Sequence, residues 1–289
     1  MSPLYIHGAA AFLGEAQADA NLLKEELRKY SRENFRRVNR FILLALIGAR
    51  KCVHGHTLAP DTGVYLTTEH GNLGDTAAVL DEIYVARSLP KPFSFINTMS
   101  NTAAFYLAQN LGTRGRNITV SSQRLSFERG LDLAATDFAA AAEGSALIGG
   151  VDIAPCPAGG ENRAGRGWRP VDGSGWFLLR PEREGACGAF AENRSFRDAA
   201  ACLAWLRGRL DAPADVVAFG AAIAADEAAR WQEALGPAAV FDYLGRYGTC
   251  DSAAACGIAL FVNDFPGRRL THLNRDPRGN YALLEVEAF

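Results

Sequence analysis

The chain has 289 residues, 48% of them hydrophobic and 21% charged, with a formal net charge of -2. Those totals describe an ordinary globular protein with room for a large core, as one big domain or two fused halves. A charge this near zero excludes a global electrostatic case for binding nucleic acid or an anionic membrane surface. The six cysteines (Cys52, Cys156, Cys187, Cys202, Cys250 and Cys256) form no C-x-x-C pair, so a reducing, cytoplasmic setting is expected rather than a disulfide frame. Met1–Gly14 carries no Lys or Arg, so no secretory leader is expected, and the apolar run Phe41–Gly48 is far too short to span a membrane.

In chain order, Leu4–His7 reads as a strand and Ala16–Tyr30 as a helix of good helix formers. Ser31 is expected to cap a second helix running to about Val53, with Phe35, Val38, Ile42, Ala45 and Leu46 inward. Gly63–Thr67 is a short strand. Asn72 is expected to cap a helix with Leu73, Ala77, Leu80 and Tyr84 inward, and Pro90 and Pro92 to stop anything helical. Asn97–Leu111 reads as a helix with small residues on one side and Phe105 and Tyr106 on the other.

The segment that follows, Gly115–Ser126, reads as a strand, a tight polar turn and the start of an Ala-rich helix leading to the apolar strand Gly144–Asp152. Such strand–turn–helix elbows often hold a nucleophile, because the helix N-terminus offers free N–H groups and the positive end of its dipole. Ile153–Asp172, full of Pro, Gly and Arg, is expected to be a loop. Strands are expected at Gly175–Leu179, Ala186–Ala191, Asp215–Phe219, Ala239–Tyr243 and Tyr281–Val286. Helices are expected at Phe196–Leu210, Ala224–Leu235 and Ser252–Phe261. Alternating helices and continuously apolar strands give an α/β protein with its sheet buried on both faces. Ser121–Gly150 is faintly echoed by Tyr247–Val262, which raises the question of an internal duplication.

Several stretches together resemble the β-ketoacyl synthases of the thiolase fold. Asn97-Thr98-Met99-Ser100-Asn101, then Gly112–Gly115 and the elbow, are similar to that family's dimer-interface helix and nucleophile strand. Gly144–Asp152, the Asp172-Gly173-Ser174-Gly175 glycine turn, Tyr247-Gly248-Thr249 with Ala253-Ala254, and Arg278-Gly279-Asn280 follow in the family's order. Each motif is degenerate; the ordered set spans nearly the whole chain. The resemblance implies two duplicated halves, 1–180 and 181–289, in a layered α-β-α-β-α arrangement forming one compact unit.

The catalytic positions depart from the family's pattern. Its nucleophilic Cys, a role suited to a thiol at a helix N-terminus, falls on Arg124, or on Gln123 with a slip of one residue. Its first His falls near Ala218–Phe219, its Lys at Leu244 and its second His at Thr249. The chain is also shorter than a complete ketosynthase, and the gate before the last strand reads Asp276-Pro277-Arg278-Gly279. By analogy this implies a pseudoenzyme, a chain-length factor that pairs with a catalytic ketosynthase and shapes its acyl tunnel, most like the short ones of bacterial aryl polyene pathways. No cofactor is implied. Pairing is expected through Arg116–Ser121, including Asn117, Thr119 and Ser121. Met99, Thr102, Phe105 and Tyr106 are expected to line the tunnel and interface or simply to pack in the core.

Other readings stay open. Gln123 and Arg124 either act in the tunnel or merely cap and ion-pair at a buried turn, with Glu128 or Asp132 in reach of Arg124. A relocated nucleophile at Cys250 or Ser122 would make a stand-alone acyltransferase or hydrolase, although Cys250 has no His near it in sequence. A homodimeric scaffold that binds an acyl carrier protein is a third reading. Arg163, Arg166, Arg169, Arg268, Arg269, Arg275 and Arg278 are candidates for docking an acidic carrier protein. His54 and His56 lack the spaced acids or cysteines that would complete a metal site, and Gly159–Gly167 lacks the Gly-Lys-Ser/Thr ending of a phosphate loop.

Overall fold

In a computed structural model, residues 3–16, 19–33, 35, 38–140, 144–154, 167–208, 215–236 and 238–289 are described. The first half contains β1 (Leu4–Glu15), α1 (Ala20–Arg28), α2 (Arg40–Cys52), β2 (Gly63–Thr67), α3 (Leu73–Tyr84) and α4 (Pro92–Asn97). It continues through α5 (Asn101–Leu111), β3 (Asn117–Val120), α6 (Ser126–Ala139), β4 (Ala146–Asp152) and β5 (Val171–Arg180). The second half runs β6 (Gly188–Phe196), α7 (Ala199–Arg207), β7 (Val216–Phe219), α8 (Ala225–Leu235), β8 (Ala239–Val240), α9 (Tyr243–Tyr247), α10 (Ala253–Asp264), β9 (Arg269–Arg275) and β10 (Tyr281–Ala288).

The strands lie in the order β3-β2-β4-β5-β1-β6-β10-β9-β7-β8, and that order is its own mirror. Counting outward from the middle, each half places its first strand, then its fifth, fourth, second and third. The pairings repeat too: two antiparallel, then two parallel, in each half. The halves join where Leu4, Tyr5 and Ile6 pair with Phe190, Ala189 and Gly188. Helices α6 and α10 occupy the same place in the two repeats, each following the third strand. The echo of Ser121–Gly150 in Tyr247–Val262 therefore falls on equivalent crossovers.

Three apolar clusters mark the layers. The central one joins Phe127, Leu131 and Ala134 of α6 and Ile258, Ala259 and Phe261 of α10 to inner-face residues of both halves, among them Phe177, Phe190 and Leu284. A second lies between α2 and the other face of the first half, and a third between α7–α8 and the second half. This is the α-β-α-β-α stack. Glycines permit its tightest contact: a Cβ on Gly175 would sit 2.5 Å from the Cys256 N and 2.6 Å from the Ala255 C of α10.

Several local expectations are corrected. β1 is much longer than Leu4–His7, because residues to Glu15 pair with β5. The first helix begins at Ala20, capped by Asp19, rather than at Ala16. The cap of α2 is Asn39, whose Oδ1 accepts from the Ile42 N at 2.9 Å. Ser31 instead accepts from Glu33 N and Asn110 Nδ2. Pro92 opens α4 rather than stopping a helix, since a missing N–H costs nothing in the first turn. The helix placed at Asn97–Leu111 is broken at Thr98–Ser100. Asp172–Gly175 lies inside β5, paired with β1 and β4, and is not a turn. Phe196 ends β6 and Asp198 caps α7. Tyr243 starts α9, so β8 has only two residues, and β9 was not anticipated.

The face expected inward on α3 points outward. Leu73 is 55% exposed, Leu80 47% and Tyr84 65%, Ala77 is also exposed, and Val79 alone is buried. With Ile83, Val85, Leu89, Phe93, Phe95 and Ile96 they form an apolar surface over α3 and α4.

Candidate functional site

The elbow is built from β3, which ends at Val120, and α6, which begins at Ser126. Between them Gln123 has φ of +52°, a left-handed backbone that a residue with a Cβ adopts only under local constraint. The constraint is visible. Ser126 Oγ accepts from the Ser122 N at 2.9 Å and donates to the Gln123 carbonyl, and Ser126 N donates to that carbonyl at 3.1 Å. Gln123 is exposed and Arg124 half-buried.

Arg124 lines a cavity of roughly 10 Å³, which is about the room one water needs. The other walls are Gly220, Ala221, Tyr243, Cys250, Asp251, Ala253, Ala254 and Asn274. The predicted positions thus converge only in part. Arg124 faces the cavity, while Ala218 and Leu244 are buried in the central core and Phe219 packs on the outer core. Gly220, Ala221 and Tyr243 stand at the wall instead. Thr249 is drawn away by backbone pairing with Arg169 and Val171, leaving Cys250 and Asp251 at the wall. Neither Glu128 nor Asp132 serves as the expected partner of Arg124. Glu128 Oε1 accepts from Asn274 Nδ2 at 2.9 Å, and Asp132 accepts from Asn193 and Arg129.

Under the cavity lies a polar cluster that reading the sequence missed. Asn274 Nδ2 also donates to the Arg124 carbonyl at 2.9 Å, which pins the elbow to β9. Glu128 is fully buried; burial pushes its carboxyl up to about 7, against the pull of the Asn274 hydrogen bond. Tyr243 Oη lies 3.0 Å from His272 Nε2, and burial depresses the imidazole to about 3, so it is neutral. His272 and Asn274 escaped notice because β9 did. The signal was Leu270, Thr271 and Leu273 between the turns at Gly267 and Asp276–Gly279.

Cys250 is buried, and its hydrogen bond with Cys256, then burial, raises the thiol well above its usual range. A thiol held neutral is a poor nucleophile. Ser122 spends its backbone N–H in the turn.

Beside the elbow, Asp152 at the end of β4 is buried and gathers four donors. These are Thr68 Oγ1 at 2.6 Å, Glu69 N at 3.0 Å, His70 N at 3.3 Å and Ser252 Oγ. Burial, and next the charge of Asp251, raise its carboxyl to about 7.

Of the expected interface residues, Met99 and Phe105 are exposed (45% and 60%), whereas Thr102 is buried and donates Oγ1 to the Ile96 carbonyl. Tyr106 packs edge-on against Phe35 and Phe105. Asn117 Nδ2 donates to the Ala104 carbonyl, tying β3 to α5, and Ser121 Oγ donates to the Glu69 carbonyl. Thr119 lies on the same strand with its Oγ1 buried, and β3 is the outer strand of its half, paired among the described residues with β2 alone.

Of the arginine set, Arg163 and Arg166 lie outside the described residues, as do Cys156 and most of Gly159–Gly167. Arg268–Arg269 and Arg275–Arg278 flank opposite ends of β9, about 20 Å apart at strand rise. Arg275 is already paired with Glu227 at 2.6 Å. His54 is exposed and edge-on to Tyr30. Asp276 organises the turn read as the old gate, accepting from the Arg278 and Asn280 backbones. An open groove of about 670 Å³ between α7 and α8 lies away from the elbow; of its two carboxylates, Glu227 and Glu233, the first is occupied by Arg275, Tyr281 and Trp231. Among the described residues, no helix is long and apolar enough to cross a membrane.

Mirrored halves around two buried crossover helices, with an elbow at the start of one, define a thiolase-like α/β protein. The chain belongs to the β-ketoacyl synthase family: the family model "Beta-ketoacyl synthase, N-terminal domain" matches residues 4–166, over half its length. No curated protein matches the sequence. Among solved structures it is similar to "The ishigamide ketosynthase/chain length factor", with a TM-score of 0.73 and 19% identity, each chain covered fully. It also resembles "PfaC Keto synthase-Chain length factor" (TM-score 0.71, 15% identity), covering 99% of this chain and 43% of that one. A third likeness is to "AntDE:AntF (apo): type II PKS acyl-carrier protein in complex with its ketosynthase bound to the hexaketide" (TM-score 0.72, 11% identity, both chains fully covered).

Proposed function

We propose that this chain is a chain-length factor: the non-catalytic member of a ketosynthase heterodimer that completes the catalytic subunit's interface and bounds its acyl tunnel. The observation that carries this reading is the state of the elbow. Its strained turn is kept, yet Gln123 and Arg124 occupy it, and the cavity beyond is roughly 10 Å³ with no His or Lys among its lining residues. A thioester needs a thiolate or an activated hydroxyl, and an acyl chain needs far more volume. The outer strand β3 and the apolar surface of α3–α5, with Phe93, Met99 and Phe105 exposed, support a partner on that side. The acyl carrier protein is then a transient partner of the pair. Aryl polyene elongation, the finer assignment, rests on the chain's shortness and the ordered motifs. We place the boundary of the two halves between Arg180 and Gly188.

Co-expression with a catalytic ketosynthase from the same source is expected to yield a one-to-one complex. Intact-mass spectrometry after incubation with acyl thioesters should find the acyl group on the partner's Cys alone. A well-behaved single chain that loads acyl groups covalently, on Cys250 or Ser122, would sink the reading in favour of a stand-alone enzyme.

A further inference from the structure

We propose that Glu69, His70 and Asp251 form a binding site for a divalent transition-metal ion that clips the two halves together beside the elbow. The site is independent of the chain-length-factor reading. Glu69 and His70 follow the C-terminal end of β2, and Asp251 precedes α10, so the fold alone brings them together. One ligand atom from each lies within 4.8 Å of the others. His70 Nδ1 is 3.0 Å from Asp251 Oδ2, and His70 Nε2 is 4.0 Å from Glu69 Oε1. One ring nitrogen serves as the ligand, and metal–ligand bonds of about 2.0–2.2 Å put neighbouring ligand atoms roughly 3–3.5 Å apart, so side-chain rotations that bring Glu69 and Asp251 to the same edge of the imidazole close the set.

The backbone under these ligands is already fixed. Asp152 accepts from the N–H groups of Glu69 and His70 and from the hydroxyl of Ser252, next to Asp251. One buried carboxylate therefore holds both ligand-bearing segments, the arrangement by which an outer shell orients metal ligands. Ser121 Oγ holds the Glu69 carbonyl from the β3 side, which fixes a third point of the same loop. Charge points the same way: carboxylates from three positions converge on one imidazole, and a dication offsets two of them.

The donor set selects the ion. One imidazole with two carboxylates suits Zn²⁺ or Mn²⁺, whereas Mg²⁺ prefers oxygen ligands alone. Three protein ligands leave at least one position for water.

The test uses the full chain, stripped with a chelator and titrated separately with ZnCl₂, MnCl₂ and MgCl₂ in a calorimeter. One Zn²⁺ per chain, weaker Mn²⁺ and no Mg²⁺ are expected. His70→Gln and Asp251→Asn should each weaken Zn²⁺ at least tenfold, while His54→Gln leaves it unchanged. Glu69→Gln, a half-buried and nearly isosteric change, supplies a third variant should another misfold. Co²⁺ gives an independent readout, with weak visible bands and no thiolate charge-transfer band in the near ultraviolet. Absence of Zn²⁺ binding, equal binding by the variants, or a thiolate band would overturn the site and leave a plain His–Asp hydrogen bond.

Discussion

Gln123 keeps a left-handed backbone although no nucleophile stands there, which identifies it as the strained residue of the elbow. The strain is a property of the turn, enforced by Ser126. Gln123→Val is expected to destabilise the chain by about 1–2 kcal/mol, because a β-branched residue is excluded from that region, and Gln123→Gly to be neutral or stabilising. Urea unfolding reads both. Glu128 permits a second test. Its folded value, about 7, lies above the ordinary value of 4.5, so its contribution is fully present below about pH 4.5 and lost as pH rises through about 7. Asp152, raised to about 7 from 3.8, acts in the same sense. His272, lowered to about 3 from 6.5, has the opposite sign: its contribution is lost as pH falls below 6.5. The difference between Glu128→Gln and the parent isolates the contribution of that carboxyl. The variant should gain about 1–3 kcal/mol relative to the parent between pH 4 and pH 8. A difference that is flat with pH would mean that Glu128 does not titrate across this window.

At the scale of elements, β2, β7, α8 and β10 were legible within a residue or two, because their apolar pattern is local. The orientation of α3 was not. Periodicity tells which residues share a face, and Leu73, Ala77, Leu80 and Tyr84 do share one; it cannot tell which body covers that face. Here the described residues leave it exposed. Leu80→Asp combined with Phe105→Glu should therefore leave the thermal midpoint of the lone chain within a few degrees and abolish co-purification with the ketosynthase. Loss of folding in the lone variant would place these side chains in this chain's own core instead. β9 went unseen because its burial is continuous while its sequence, Arg-Leu-Thr-His-Leu-Asn-Arg, is half polar. Asn274 and His272 Nε2 find partners on α6, α9 and the elbow, and Arg275 finds Glu227 of α8, partners that are remote in sequence.

For the whole molecule, the close approach of α10 to β5 couples the halves. Gly175→Ala places a Cβ against the α10 backbone, where no side chain can yield. We expect a loss of several kcal/mol, or no folded protein, and a single cooperative transition in the parent because both halves share the central core. Two separate transitions would show that the halves are not energetically joined. By itself the sequence determined the α/β class and pointed to the family, which rest on local pattern and on the order of motifs, while it only raised the question of the repeated crossover. Only the tertiary structure decided that Arg124 rather than Thr249 lines the old cavity and that Asn274 and Glu128 anchor the elbow. It alone brought Asp251 to His70. Side chains so far apart in sequence meet through the register of the mirrored sheet, and register is set by long-range packing that no local stretch encodes.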